Sequence, residues 1–288
     1  MTQDASPQLA RPKPRLRIEP ARGWAALDFM QVWQFRDLLF SLAGRDVKLR
    51  YKQTALGVIW VILQPLMAAG AFTLVFGKLA KFPSDGKPYF LFSYAGLLGW
   101  NLFSTTLVKT SGVLLGNSQL ISKIYFPRLV LPLSTVPSAL LDFGIALALM
   151  AVLLPIYGVA PGWAVLTLPV WMACLLMMSV GLGLVIAALT VSYRDVQYIL
   201  PVFVQILLYA SPVAFSLAYA LAELPSAWRP LILLNPLAGP LEAFRWSLLD
   251  TAAPSVGSLA YALVVSVAVF LIGAFSFKRM ERRFADVI

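Results

Sequence analysis

Residues 163–191 read WAVLTLPVWMACLLMMSVGLGLVIAALTV, an apolar run without a charged residue. A helix of about 20 such residues crosses the hydrocarbon core of a bilayer, which is about 30 Å thick. Similar runs predict further spans at about 55–76, 89–108, 134–154, 198–221 and 256–277. Of the 288 residues, 60% are apolar and 12% are charged. The sequence therefore predicts an all-α, polytopic membrane protein with six transmembrane helices, which together form one domain at residues 54–278.

Basic residues flank these spans unequally and predict the orientation of the chain. Ten Lys or Arg residues precede the first span, and four follow the last. Because cytoplasmic segments carry the excess of Lys and Arg, both termini should be cytoplasmic and the number of crossings even. An apolar segment at 231–249 would add a seventh crossing, but it contains Pro236, Pro240, Glu242 and Arg245. We expect this segment to form short re-entrant helices on the outer side.

The amino-terminal part divides into an arm and a helix. Residues 1–28 are rich in Pro, Arg and Lys and predict a disordered basic cytoplasmic arm, and residues 279–288 form a cytoplasmic tail. Residues 29–53 predict an amphipathic helix in the inner interface, although a helix packed on a partner protein would show the same pattern. Its apolar arc contains Phe29, Val32, Trp33, Leu39, Phe40, Ala43 and Val47.

Several kinds of chemistry are excluded by residues that the sequence lacks. It has no histidine and one cysteine, Cys174, which lies in an apolar run, so neither a zinc site nor an internal disulfide is expected. The phosphate-loop, G-x-G-x-x-G and H-E-x-x-H patterns are also missing. We expect a chain that is not an enzyme and binds no metal or cofactor. The net charge of +10 arises from the flanks of the spans and does not predict nucleic-acid binding.

Asp142 is the only ionisable residue within the six predicted spans. It is either a hydrogen-bonded group that faces the protein interior or a contact to a substrate or partner subunit. A single carboxylate gives little support to an ion-coupled carrier acting alone, which remains an alternative. A membrane-embedded glycosyl- or phosphotransferase is a further alternative, but the predicted outer loop shows no metal-binding spacing.

Two other segments have unusual composition. In the predicted cytoplasmic loop 116–128, Leu120, Ile121 and Ile124 have helical spacing and Pro127 would end the helix. This short helix could dock on the membrane or in a partner groove. Aromatic residues crowd the outer end of the second span, where interfacial belts are common. The deeper ones could face a pathway and stack on sugar rings.

Two motifs resemble a known family. RDVKLRYKQTALGVIW at 45–60, continuing to Gln64-Pro65-Leu66, resembles the start of the first span in ABC-2-type permeases of polysaccharide exporters. LISKIYFPR at 120–128, followed by Leu131-Pro132, resembles the segment between the second and third spans of the same family. Asn235-Pro236 before the last span also fits. The resemblance covers about residues 30–280.

The resemblance implies a half-transporter in the bacterial inner membrane. Two copies of the chain would form a channel, and two copies of a separate ABC ATPase would bind below and hold ATP and Mg²⁺. The cargo would be an undecaprenyl-linked polysaccharide, most often O-antigen, with capsule or teichoic acid as other members of the class. An ABC-2 exporter of drugs or small lipids is an alternative within the family.

The resemblance also implies roles for particular residues. The ATPase-coupling residues would be Ser118, Gln119, Lys123, Tyr125 and Arg128. The substrate pathway would contain Tyr94, Trp100, Phe103 and Asp142. The lipid headgroup or pyrophosphate would lie near Arg45, Lys48, Arg50 and Lys52. Short outer gate helices at 230–249 would carry Asn235, Glu242 and Arg245.

Overall fold

The computed structural model describes residues 29–52 and 57–281, so the predicted arm at 1–28 and most of the predicted tail lie outside the described residues. Within the described ranges the chain is helical and contains no β-strand. A π-helical segment, Thr73–Leu79, and a 3₁₀ turn, Trp163–Thr167, occur beside the α-helices. The α-helices are α1 (Phe29–Gln34), α2 (Arg36–Tyr51), α3 (Gly57–Phe72), α4 (Tyr89–Gly116), α5 (Ser118–Lys123), α6 (Val130–Ile156), α7 (Leu168–Ser192), α8 (Val196–Ala210), α9 (Leu217–Glu223), α10 (Arg229–Leu234), α11 (Ala238–Leu249) and α12 (Val256–Glu281).

Four helical segments of the described chain are long and apolar enough to cross a membrane: Ile59–Leu79, Val130–Ile156, Trp163–Ser192 and Val256–Glu281. These segments coincide with four of the six predicted spans. The chain is thus an all-helical, multi-pass membrane protein. The other two predicted spans correspond to α4, which is long but more polar, and to the region of α8 and α9.

The more polar helix α4 lies at the centre of the bundle. It packs against α6, α7 and α11, and 18 of its 28 residues are buried. Two of its hydroxyl groups have partners there: Thr110 forms a 3.0 Å hydrogen bond with Thr135 of α6, and Ser93 donates to the carbonyl of Tyr89 at 2.7 Å. Because neighbouring helices rather than lipid surround α4, its lower hydropathy is compatible with a position inside the bundle.

Helices α7 and α12 make a very close contact at two glycines. A Cβ atom added at Gly181 would lie 2.6 Å from the carbonyl oxygen of Val269, and one added at Gly273 would collide with the backbone of Gly181. Small residues allow such close approach of helix backbones in membrane proteins. The contact fixes the last helix of the chain against the core.

The predicted span 198–221 is not one continuous helix. α8 ends at Ala210, residues 211–216 have no regular structure, and α9 begins at Leu217. Ser211 is extended, with ψ 153°, as proline requires of the residue before it. Pro212 therefore ends the helix.

The predicted amphipathic helix forms as two helices, α1 and α2, with a break at Phe35. Leu42 and Ala43 are buried, and Leu42 belongs to a cluster that includes Phe126 of the loop before α6. Trp33 and Phe40, which the predicted apolar arc included, are 64% and 62% exposed. Packing on the bundle thus selects the face with Leu42, and the two rings point away from the described protein.

Candidate functional site

A cavity of about 550 Å³ lies between α2, α4 and α6. Its wall combines basic, acidic and hydroxyl side chains with the apolar groups of the three helices. The polar residues that line it are Arg45, Asp46, Arg50, Lys109, Asn117, Thr135, Ser138 and Asp142. Two of the four basic residues predicted to lie near a lipid headgroup, Arg45 and Arg50, therefore face the cavity, whereas Lys48 and Lys52 are exposed and do not line it.

Asp142 of α6 lies between two cations in this cavity. Lys109 of α4 approaches its Oδ2 atom at 3.1 Å and also donates to Ser138 Oγ at 3.2 Å. Arg50, near the end of α2, pairs with the same Oδ2 atom. The Asp142 side chain is only 14% exposed. Asp142 is thus a bonded carboxylate inside the protein, and it joins three helices.

Arg45 ties α2 to the end of α4. Its Nη2 atom donates to Asn117 Oδ1 at 2.9 Å and pairs with Asp46 Oδ1 at 3.1 Å. Asn117 in turn donates to the carbonyl of Val113 at 2.9 Å, within the last turn of α4. The contacts of Arg45 and Arg50 together connect α2 to the carboxyl-terminal end of α4, which leads into α5, and to the middle of α6.

A second polar cluster surrounds the break between α8 and α9. Arg245 of α11 is completely buried, and its Nη2 atom donates to the carbonyls of Pro212 at 2.6 Å and Val213 at 3.0 Å. Its Nη1 atom lies 3.3 Å from both the Phe215 carbonyl and Glu242 Oε2. Arg245 thus satisfies backbone carbonyls that the interrupted helix leaves without helical partners.

Other side chains hold the same break. Asn235 donates to the Ala210 carbonyl and to Ser211 Oγ, each at 3.1 Å. Tyr89 of α4 donates its hydroxyl to the Ala214 carbonyl. The three residues predicted for an outer gate, Asn235, Glu242 and Arg245, therefore meet at residues 210–217. Tyr89 was not predicted in this role; the Ser211-Pro212 dipeptide was the signal for the break.

The aromatic residues predicted for a substrate pathway lie in the core. Tyr94, Trp100 and Phe103 are 1%, 4% and 0% exposed, and the Tyr94 hydroxyl donates to the Ala146 carbonyl at 2.9 Å. Within the described chain they fill space between helices and border no open passage, unlike Asp142, which faces the cavity. Their role in a pathway stays a prediction. Exposed aromatic side chains lie on α8 at Tyr198, Phe203 and Tyr209.

The predicted coupling segment forms the short helix α5 and an irregular stretch before α6. Gln119, Lys123 and Tyr125 are exposed, and Ser118 is half-buried. Phe126 is buried in the helix cluster. Arg128 donates to the carbonyl of Glu281 at 2.7 Å, at the end of α12. Arg128 therefore anchors the segment, and Gln119, Lys123 and Tyr125 are part of its exposed surface.

The residues that the structure describes contain no group of three or more Cys, Asp or Glu side chains that could hold a metal ion. Cys174 is buried in α7. The geometry of the two polar clusters suits electrostatic and conformational roles, since each joins several helices through ion pairs or charge-assisted hydrogen bonds.

Known proteins with similar sequences are named as export permeases or transport proteins. The O-antigen export system permease protein RfbA of Myxococcus xanthus is 30% identical over 258 residues, which cover 90% of this chain and 98% of that protein. RfbA of Klebsiella pneumoniae is 25% identical over 88% of this chain and 95% of its own. The polysialic acid transport protein KpsM of Escherichia coli is 25% identical over 84% and 92%.

The sequence pattern of the ABC-2 type transporter matches residues 37–249, from the start of α2 to the end of α11. The match includes the cavity, the coupling segment and the break between α8 and α9. The chain therefore belongs to the ABC-2 type transporter family.

Proposed function

We propose that this chain is the permease subunit of an ATP-driven exporter that moves a lipid-linked polysaccharide, O-antigen first among the candidates, across the bacterial inner membrane. The observation that carries the proposal is the 30% identity to an O-antigen export permease over 98% of that protein's length. Capsular polysaccharide is a second cargo of the same class, because KpsM, named for polysialic acid transport, matches 84% of the chain.

The proposed energy source is ATP bound with Mg²⁺ to a separate ABC ATPase. Two permease chains and two ATPase chains form the working unit, with both termini of the permease in the cytoplasm. The exposed Gln119, Lys123 and Tyr125 of the coupling segment contact the ATPase. The bonds from Arg128 to Glu281 support this assignment, because they connect the contact surface directly to the end of α12.

The proposed pathway for the sugar chain lies between two permease chains. The exposed rings of Tyr198 and Tyr209, 72% and 57% accessible on α8, support a pathway along this helix. Flat aromatic rings offer stacking surfaces to sugars and tolerate variation in the polymer. The cluster around Arg245 then forms the outer gate, because it holds the break at which α8 ends.

The first test is to express the chain with its neighbouring genes, purify it gently and measure the mass and ATPase activity of the assembly. A complex of two permeases and two ATPases that exports polysaccharide from membrane vesicles is the expected result. Export of short-chain or small-lipid substrates only would favour the alternative function, an ABC-2 exporter of drugs or small lipids. Gradient-driven transport by the permease alone, lost in Asp142→Asn, would contradict the proposal.

A further inference from the structure

The last residue of α12, Glu281, bonds to the coupling segment at Arg128. The Oε1 atom of Glu281 accepts a hydrogen bond from the backbone N–H of Arg128 at 3.2 Å. The carbonyl oxygen of Glu281 accepts a second one from the Arg128 guanidinium group at 2.7 Å. The Glu281 side chain is 15% exposed, and its Oε2 atom pairs with Lys278 at 2.8 Å. The two bonds to Arg128 form a joint, the Arg128–Glu281 joint, which fixes the segment relative to α12.

Apolar packing supports the same joint. Phe277, one turn before Glu281, is 0% exposed and shares a buried cluster with Phe126 and Leu129, which lie on either side of Arg128. Packed interiors transmit displacement, because they have little free space in which to deform. A movement of the coupling segment therefore displaces the end of α12 as well.

From this joint α12 continues as one helix to its contact with α11. It has 26 residues, which span about 39 Å. Near its other end, Ser258 and Ala262 lie close to α11: a Cβ atom added at Gly239 would be 3.1 Å from the Ser258 carbonyl oxygen and 3.1 Å from the Ala262 Cβ atom. Helix α11 carries Arg245, which holds the break between α8 and α9. One continuous helix therefore connects the coupling segment with the cluster around Arg245.

We propose that Glu281 is a positioning residue for export: it passes movement of the coupling segment to α12, and α12 passes this movement to α11 and the break after α8. The inference rests on the proposed function for the source of the movement, which is ATP bound and hydrolysed on the partner subunit. Glu281 contacts neither the sugar chain nor ATP in this proposal. It acts only through the helix that it ends.

The construction of α12 suits this role. An α-helix resists stretching, because its backbone hydrogen bonds lie along its axis. The contacts at the two ends of α12 are packed closely, so a shift at one end reaches the other as a discrete rearrangement. The break is the element that changes state, since displacement of α11 withdraws Arg245 from the carbonyls of Pro212 and Val213.

The test uses the complete permease–ATPase complex in nanodiscs, with an environment-sensitive fluorophore on Ala218→Cys. Ala218 is exposed on α9, beside the break, and the native Cys174 is buried. In the otherwise wild-type chain, addition of ATP is expected to change the fluorescence. Glu281→Ala is expected to abolish this change while ATP hydrolysis continues. It should also lower the polysaccharide exported per ATP about tenfold, since a hydrogen bond to a charged group contributes about that factor to an equilibrium.

Three variants separate positioning from a general structural role. Glu281→Gln keeps an oxygen that accepts the Arg128 N–H, so it should retain both the fluorescence change and export; loss equal to that of Glu281→Ala would overturn the proposal. Lys278→Gln removes the ion pair within α12 and leaves the joint, so it should behave like the wild type. Arg279→Gln is the matched control, because Arg279 is exposed on the same turn.

A double variant tests whether Arg128 and Glu281 act through the same joint. Arg128→Gln removes the bond to the Glu281 carbonyl and should uncouple export as Glu281→Ala does. The double variant Arg128→Gln with Glu281→Ala should be no worse than the more severe single variant, because the two residues share one contact. Additive losses would contradict the joint. If Glu281→Ala does not assemble, Arg128→Gln gives the same measurement from the other side of the joint.

The outcomes distinguish this inference from the proposed function. A wild-type fluorescence change in Glu281→Ala overturns the positioning role, even in a complex that exports polysaccharide. A fluorescence change that ATP produces in the wild type and not in Glu281→Ala, in a complex that exports no polysaccharide, supports the role of Glu281 and contradicts the proposed cargo. Absence of any change in the wild-type complex with ATP overturns the inference itself.

Discussion

The guanidinium carbon of Arg245 lies 3.9 Å from the centre of the Phe92 ring. The ring belongs to α4 and the guanidinium to α11, so the contact joins the central helix to the segment before the last span. A cation over an aromatic face is attracted by the ring quadrupole, and the attraction is larger away from water. The flat face of the Arg245 guanidinium group therefore contacts the Phe92 ring, and the N–H groups at its edge donate to backbone carbonyls.

Loss of Arg245 is expected to destabilise the protein. Arg245→Met would leave Glu242 without its ion-pair partner and the carbonyls of the break without the guanidinium donor, at a cost of about 3–5 kcal/mol. The measurement is the thermal unfolding midpoint of the purified protein in detergent. Arg229→Gln is the control, because Arg229 is exposed and donates to one carbonyl, that of Leu224. Adding Glu242→Gln to Arg245→Met should recover part of the loss; no recovery would contradict the ion-pair explanation.

The contact of α7 and α12 should be sensitive to a single methyl group. Gly181→Ala places a Cβ 2.6 Å from the Val269 carbonyl, so the backbones must separate, at a cost of about 1–3 kcal/mol. Thermal unfolding in detergent measures the effect. Gly257→Ala, on α12 with open space around it, should leave the midpoint unchanged. A midpoint for Gly181→Ala equal to that of wild type would argue against the close contact.

The exposed surface of the coupling segment should transmit ATP hydrolysis. Lys123→Glu and Tyr125→Ala are each expected to abolish export while the complex still hydrolyses ATP and inserts normally, because both side chains are exposed and support no core packing. Export and ATPase activity are measured in the same membrane vesicles. Lys81→Glu, in the exposed loop before α4, is the control. Unchanged export in the first two variants would refute the assignment of this segment.

Topology can be tested beside α11. A reporter fused after Thr251 should be active on the outer side of the membrane, because six crossings leave the segment between α8 and α12 outside. Glu242→Leu should not move the reporter, since α11 is held by packing along its whole length. A cytoplasmic signal from the Thr251 fusion would contradict the six-span topology.

Thiol labelling can separate core aromatics from pathway aromatics. The only native cysteine, Cys174, is buried, so the wild-type protein should react slowly. Phe103→Cys should also stay unreactive, because the side chain is 0% exposed, whereas Tyr198→Cys and Tyr209→Cys should react in the assembled exporter. Added polysaccharide should protect these two positions. Fast labelling of Phe103→Cys would support the predicted role of Phe103 in the substrate pathway.

The long apolar helices could be predicted from the sequence because the hydrocarbon core demands a minimum length of uninterrupted apolar residues. Composition also pointed to the unusual position of Glu242 and Arg245, since charges are costly in a spanning helix. The Ser211-Pro212 dipeptide carried the signal for the break after α8, through the conformation that proline imposes on its neighbour.

The partners of these residues could not be read from the sequence. Arg245 bonds to the carbonyl of Pro212, 33 positions earlier, and this pairing depends on how α11 packs against α4. The burial of the aromatic rings could not be predicted either. Because α4 is apolar around most of its circumference, no periodicity marks Tyr94 or Phe103 as core residues. Lys109 and Asp142 lie on different helices, and only the packing of α4 on α6 brings them together.

The central position of α4 has a consequence for the order of assembly during synthesis. Its polar face, with Thr110 and Lys109, is covered by α6 and α7, and its other side is covered by α11, which the ribosome makes more than a hundred residues later. A nascent chain that ends before α11 therefore exposes groups of an early helix that the finished protein shields. The burial of α4 is therefore complete only when the carboxyl-terminal third has been synthesised.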